Sequence, residues 1–180
     1  RVDTRPQSRG KIPLAANGPL PKLAVALKAD PRIKNNIQRN VILGRAYFTK
    51  PAEYNLKPDR VAAQIVAQSG VPITAVGLDV TSQGQLREKD LDQLRLATDP
   101  AGQFIVRLLD LAEEETHEAH PTLHDPLAIA AIFRPDLLEF QPGTVNIPVS
   151  GGGQAVFKPE AASKTKVGSK VNASACRDLF

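Results

Sequence analysis

The residues with the most chemistry in them are His124 and Asp125, adjacent in Pro121-Thr122-Leu123-His124-Asp125-Pro126-Leu127-Ala128-Ile129-Ala130-Ala131, where a loop turns into an apolar helix. A carboxylate at a helix start either caps the helix or directs its oxygens at a hard cation. An imidazole beside it is suited to moving a proton near neutral pH. The competing reading is structural: Asp125 caps the helix ahead of Pro126 at the first helical position, and His124 is an ordinary loop histidine. Glu53 and Asn55 stand in a polar loop, where solvated side chains are the default. Asp79 sits at the end of an apolar strand, where a structural role is expected, and neither it nor Thr81 is assigned a function. The single cysteine, Cys176, has no histidine beside it and lies in an apolar-patterned stretch, so a packed thiol is expected there.

Positioning these groups falls to an alternation of strands and helices. Ile12 to Ala16 reads as a short strand stopped by Asn17-Gly18-Pro19, after which Leu20, Leu23, Ala24 and Leu27 mark one face of a helix reaching about Ala29. Asp30-Pro31 restarts a short helix, and Asn40 to Gly44 is the next strand. An irregular stretch from Arg45 to Pro58 leads into a helix from Asp59 to the Ser69-Gly70 stop. Val71 to Val80 is a nearly continuous apolar run, the pattern of a strand covered on both faces in a parallel sheet. Helices are predicted over Gln85 to Leu96 and Pro100 to about Glu118, the second with Phe104, Ile105, Leu108, Leu109 and Leu111 on or near one face. Thr144 to Val149 and Gln154 to Phe157, around Gly151-Gly152-Gly153, read as a β-hairpin, and a last strand near Lys170-Val171 runs into a C-terminal helix. The expected class is α/β, with an open, mostly parallel sheet, helices on both faces and a C-terminal hairpin.

Composition narrows the remaining possibilities. With 180 residues, 42% apolar and 23% charged, the chain suits one domain, or most of one, with a core, and the composition argues against a disordered tail, a collagen-like repeat or a disulfide-stapled miniprotein. No apolar run approaches the roughly 18 to 20 residues of a membrane span, and Arg1 to Pro6 holds no apolar signal core. The 23 Lys and Arg against 19 Asp and Glu leave a net charge of +4, and no stretch interleaves cations with stacking aromatics. Nucleic acid is therefore ranked last among partners. The absence of Met points to a processed, partial or incompletely recorded chain, and one unpaired cysteine fits the cytosol without fixing the compartment.

The segment His124-Asp125-Pro126-Leu127-Ala128-Ile129-Ala130, with Arg134-Pro135-Asp136 after it, resembles the C-terminal signature of the inosine-uridine-preferring nucleoside hydrolase family. Asn17-Gly18-Pro19-Leu20-Pro21-Lys22-Leu23-Ala24, Asp30-Pro31-Arg32-Ile33, Glu53-Tyr54-Asn55, Gly77-Leu78-Asp79-Val80-Thr81 and the ending Val171-Asn172-Ala173 to Asp178-Leu179-Phe180 are similar to family segments in the same order. The resemblance implies hydrolysis of the N-glycosidic bond of a ribonucleoside with calcium as cofactor. It implies metal-binding roles for Asp125 and for the backbone carbonyl at Asn17, a proton-donating role for His124 toward the leaving base, and ribose-binding roles for Glu53 and Asn55. It also implies a homo-oligomer.

Two departures qualify that expectation. The family's aspartate-rich loop, Asp-x-Asp-x-Gly-x-Asp-Asp, has no counterpart here, since Asp3 stands alone in an irregular segment over residues 1–11. Residues 12–180 are then a partial domain, incomplete at its N-terminal side, with an exposed strand edge and an apolar face that a complementing N-terminal fragment or a second copy would cover. In addition, Leu43-Gly44-Arg45-Ala46-Tyr47-Phe48-Thr49-Lys50 replaces a family Met-Gly-Gly turn and a longer ribose-binding loop. The alternative expectation is a non-catalytic relative that uses the scaffold as a binding or assembly module.

Overall fold

A computed structural model describes residues 11–44, 46–48, 59–149 and 155–179. Its organising element is a six-stranded sheet in the order β1-β2-β3-β6-β4-β5. Strands β1 (Ile12–Ala16), β2 (Ile37–Gly44), β3 (Ile73–Gly77) and β6 (Lys166–Val171) are mutually parallel, whereas β4 (Leu138–Asn146) runs antiparallel to β6 and to β5 (Val156–Pro159). The β4 and β5 pair is the expected hairpin, with Asn146 opposite Val156 and Gly143 opposite Pro159. Gly143 is required there: a Cβ would lie 2.3 Å from the Phe157 ring and 2.4 Å from the Lys158 carbonyl oxygen.

Strand periodicity divides the core into two layers. Ile42, Ile73 and Ala75 face α1 (Pro21–Ala29) and α2 (Arg60–Ala67), where Ala24, Leu27, Ala62, Ala63 and Val66 meet them. Val41, Leu43 and Val76 face the other way, onto Leu127, Ala128 and Ala131 of α6 (His124–Phe133). Successive side chains of a strand point to opposite faces, so the apolar run Val41 to Leu43 of β2 and Ile73, Ala75 and Val76 of β3 demand cover on both sides. Cys176, in the short helix α7 (Ala173–Arg177), is fully buried in the α6 layer, where burial pushes its thiol pKa up; it is a packed thiol, as its sequence context suggests.

The apolar run Val71 to Val80 is not one strand. Extended pairing stops at Gly77, and Leu78–Thr81 form a single helical turn, α3, which still buries Val80 and Thr81 completely. The helix predicted from Gln85 begins later, at Glu88 (α4, Glu88–Arg95), because Gln85 instead forms an isolated antiparallel bridge with Thr122. Asp30-Pro31 opens a 3-10 turn over Pro31–Asn36, with the Asp30 carboxylate accepting from the Arg32 amide. Helix α5 (Pro100–Thr116) is capped by Asp99, which accepts from the Ala101 and Gly102 amides, yet none of its residues is buried. Leu91 and Leu94 of α4 lie with Val106 and Leu109 of α5, while Phe104, Ile105, Leu108 and Leu111 remain exposed. Among the described residues β1 is hydrogen-bonded on one side only, and no helix is long and apolar enough to cross a membrane.

Two outcomes follow from this packing. Leu127 has no exposed surface, so Leu127→Ala is expected to cost about 2 to 5 kcal/mol in urea unfolding, through lost burial plus the residual cavity. At the start of α4, Asp90 bonds the Arg87 guanidinium at 2.9 and 3.0 Å and accepts from the Arg87 amide, which holds its carboxyl pKa at about 2, below the ordinary 3.8. A depressed folded-state pKa contributes stability that is complete above about pH 4 and is lost as the pH falls through about 2. Asp90→Asn is expected to flatten the unfolding midpoint over that window, as read by urea titrations at stepped pH.

Candidate active site

The parallel strands β1, β2 and β3 end on one edge of the sheet, and each is followed by a segment carrying candidate groups. In an open α/β sheet that carboxyl edge is where ligands bind. Asn17 follows β1, Ala46 to Phe48 follow β2, and Asp79 and Thr81 lie in the turn after β3. The first turn of α6 arrives at the same edge from the side.

Four contacts fix this arrangement. The Asn17 Nδ2 donates to the backbone oxygen of Asp125 at 3.2 Å, tying the end of β1 to the start of α6 across 108 residues of sequence. The His124 Nδ1 lies 2.7 Å from Thr81 Oγ1, linking α6 to the turn after β3. Below it, the Gly84 amide donates to the Thr81 carbonyl at 2.9 Å and the Leu123 amide to the Gly84 carbonyl at 3.0 Å. Asn17, His124 and Asp125 are thereby brought together. Glu53 and Asn55 lie outside the described residues.

Asp125 does not cap α6, contrary to the structural expectation from sequence. The N-cap position is Leu123, among the described residues no side chain caps the helix, and Asp125 lies inside the first turn with Pro126 after it. Among the described residues no hydrogen bond or ion pair engages its exposed carboxylate. The helix N-terminus favours negative charge at that place, so the geometry presents an available anion at the sheet edge.

Asp79 and Thr81 carry weight that residue types alone did not indicate. The Asp79 carboxylate accepts from the Tyr47 amide and, at 3.2 Å, from the Phe48 amide, pinning the segment that leaves β2. It also borders a cavity of about 420 Å³ together with Phe48, Glu139 and Lys170. Its strand-end position was the available signal for a structural role; nothing in the sequence marked the reach of Thr81 to His124.

The oxygens available for a metal can be counted against its needs. Calcium takes about 6 to 8 oxygen ligands. The hard donors here are the Asp125 carboxylate and main-chain carbonyls near Asn17, and among the described residues no three His, Cys, Asp or Glu side chains come together. These residues by themselves do not fit a calcium ion.

The sequence pattern of the inosine-uridine preferring nucleoside hydrolases matches residues 2–178. The chain belongs to that family. A pyrimidine-specific ribonucleoside hydrolase RihA of Shewanella woodyi is 34% identical over 154 residues, covering 81% of this chain and 49% of that protein. A probable uridine nucleosidase 2 of Oryza sativa is 33% identical, covering 83% and 47%. Among solved structures, the purine-preferring ribonucleoside hydrolase from Gardnerella vaginalis superposes with a TM-score of 0.80 at 30% identity, over 91% of this chain and 57% of that one. The inosine-uridine preferring nucleoside hydrolase from Bacillus anthracis gives 0.80 at 25% identity. The chain spans about half the length of the curated relatives it matches. Its open, mostly parallel six-stranded sheet with helices on both faces is the fold expected of a nucleoside hydrolase.

The Asp79 contact generates a test of its own. Asp79→Ala removes the acceptor for two backbone amides, and hydrogen exchange at Tyr47 and Phe48 is expected to accelerate selectively, with a stability loss of about 1 to 3 kcal/mol. Unchanged exchange at both amides would show that the carboxylate does not hold this segment.

Proposed function

We propose that this chain carries its share of a nucleoside N-ribohydrolase site, which hydrolyses the N-glycosidic bond of a ribonucleoside to free base and ribose. The observation that carries the reading is the meeting of Asn17, His124 and Asp125 at the carboxyl edge of the sheet, with the Asp125 carboxylate unengaged among the described residues. Departure of a base leaves an oxocarbenium-like sugar, which needs nearby negative charge, a water for C1′ and a proton for the base. In the proposed step, His124 gives a proton to the base as the C1′–N bond breaks. Water adds hydroxide to C1′ and releases a proton to solvent or to a base in the complete site. Glu53 and Asn55 are proposed to hold the ribose hydroxyls.

Calcium belongs to this proposal only as a group of the complete site. The Asp125 carboxylate and the Asn17 carbonyl would be two of its oxygens, the others coming from a complementing N-terminal fragment or a second copy of the chain. Residues 12–180 are proposed to act as one domain with such a partner. The names of the relatives include both pyrimidine-specific and purine-preferring enzymes, so the substrate class is written as ribonucleosides without a choice of base.

The second reading, a non-catalytic binding or assembly module, is favoured by one observation: among the described residues no carboxylate cluster accompanies Asp125. Release of ribose from a panel of nucleosides, with and without a calcium chelator, separates the two. The enzyme reading expects chelator-sensitive release that falls more than about 100-fold in Asp125→Ala. It also expects His124→Ala to lose about 100-fold or more on ordinary nucleosides and far less on a riboside whose leaving group needs no proton. Binding without turnover supports the module, and no ribose release from the intact 180-residue chain would sink the claim that it is itself a hydrolase.

A further inference from the structure

Thr81 has no exposed surface, and among the described residues its hydroxyl has one hydrogen-bond partner, the Nδ1 of His124 at 2.7 Å. The two residues close a ring of contacts: the Gly84 amide on the Thr81 carbonyl, the Leu123 amide on the Gly84 carbonyl, and the imidazole of the next residue back on the Thr81 hydroxyl. The ring is therefore held from its backbone as well as from its Nδ1 edge.

A buried hydroxyl has one proton to give, and leaving it unpaired costs about 1 to 3 kcal/mol. With no second partner, that proton goes to Nδ1, and a neutral imidazole that accepts at Nδ1 carries its own hydrogen on Nε2. We infer that Thr81 fixes neutral His124 as the Nε2–H tautomer and is the positioning residue for its imidazole ring. The catalytic consequence rests on the nucleoside hydrolase reading, whereas the tautomer itself does not.

The chemistry of a hydroxyl suits this place. When the imidazole is doubly protonated, the hydroxyl rotates and Oγ1 accepts from Nδ1–H, so one contact holds the ring in both charge states. A carboxylate at the same position would only accept and would favour the imidazolium. With threonine there, proton donation to a leaving base comes from the imidazolium, in which Nε2–H is the proton given and Nδ1–H stays on Oγ1.

Long-range ¹H–¹⁵N correlation spectra of the intact chain test this directly, because His117, His120 and His124 are its only histidines. With His124 neutral, the wild-type spectrum is expected to show Nδ1 as a bare acceptor and Nε2 as protonated. Thr81→Val, which keeps the shape and removes the hydroxyl, is expected to move both resonances toward a tautomer mixture, and Thr81→Ser to restore them, with His117 and His120 unchanged. A wild-type His124 in the Nδ1–H form or as an even mixture overturns the inference, whether or not the valine variant folds. So does a valine variant that folds with its His124 pattern unaltered. Ribose release separates this claim from the functional one. If the chain turns over nucleosides, Thr81→Val lowers kcat by roughly 10-fold or more with KM nearly unchanged, while an Nε2–H tautomer in a chain that releases no ribose supports the inference and removes the claim that this chain is itself a hydrolase.

Discussion

Parallel pairing of β1, β2 and β3 is the constraint on which the rest of this structure depends. Parallel strands deliver their carboxyl ends to a common edge, and the connections between them must cross a face of the sheet. That requirement gives β2 and β3 apolar residues on both sides, brings α1 and α2 to one face and α6 to the other, and leaves the segments after each strand with the polar work. Asn17, the Ala46 to Phe48 segment, Asp79 and Thr81 come to the same edge of the sheet because three strands run in one direction.

Helix α6 brings the candidate site residues to that scaffold. Leu127, Ala128 and Ala131 fix its rotation against the sheet, and its first turn is held by Asn17 on one side and Thr81 on the other. The small residues let the helix approach closely, so the positions of His124 and Asp125 follow from packing rather than from a capping side chain. The uncapped start leaves Asp125 free of a structural task that the sequence suggested for it.

Much of this was legible from local pattern. Apolar periodicity and Gly, Pro and Asn stops marked β1, α1, the core of β2, α2 and the terminal hairpin, because those signals act over a few residues. The same reasoning extended β3 through Val80, since a continuous apolar run does not distinguish a buried strand from a strand followed by one buried helical turn. The pair His124 and Asp125 stood out by type and adjacency, but their partners Thr81 and Asn17 lie 43 and 108 residues away. Such long-range contacts leave no periodic trace, so the identity of the side chain that steadies the imidazole emerged only in three dimensions.

The setting of α5 has a dynamic consequence. Its 17 residues bury nothing fully, and its stability draws on the Asp99 cap, helical propensity and partial contact with α4. A segment with so few tertiary contacts opens at a free energy well below that of the sheet. Its unfolding need not reach the imidazole a few residues downstream, because Leu86 bonds the Pro121 carbonyl and Leu123 bonds Gly84. Those two bonds act as a clutch: the chain before Pro121 can breathe while the chain after it keeps the registry of the sheet.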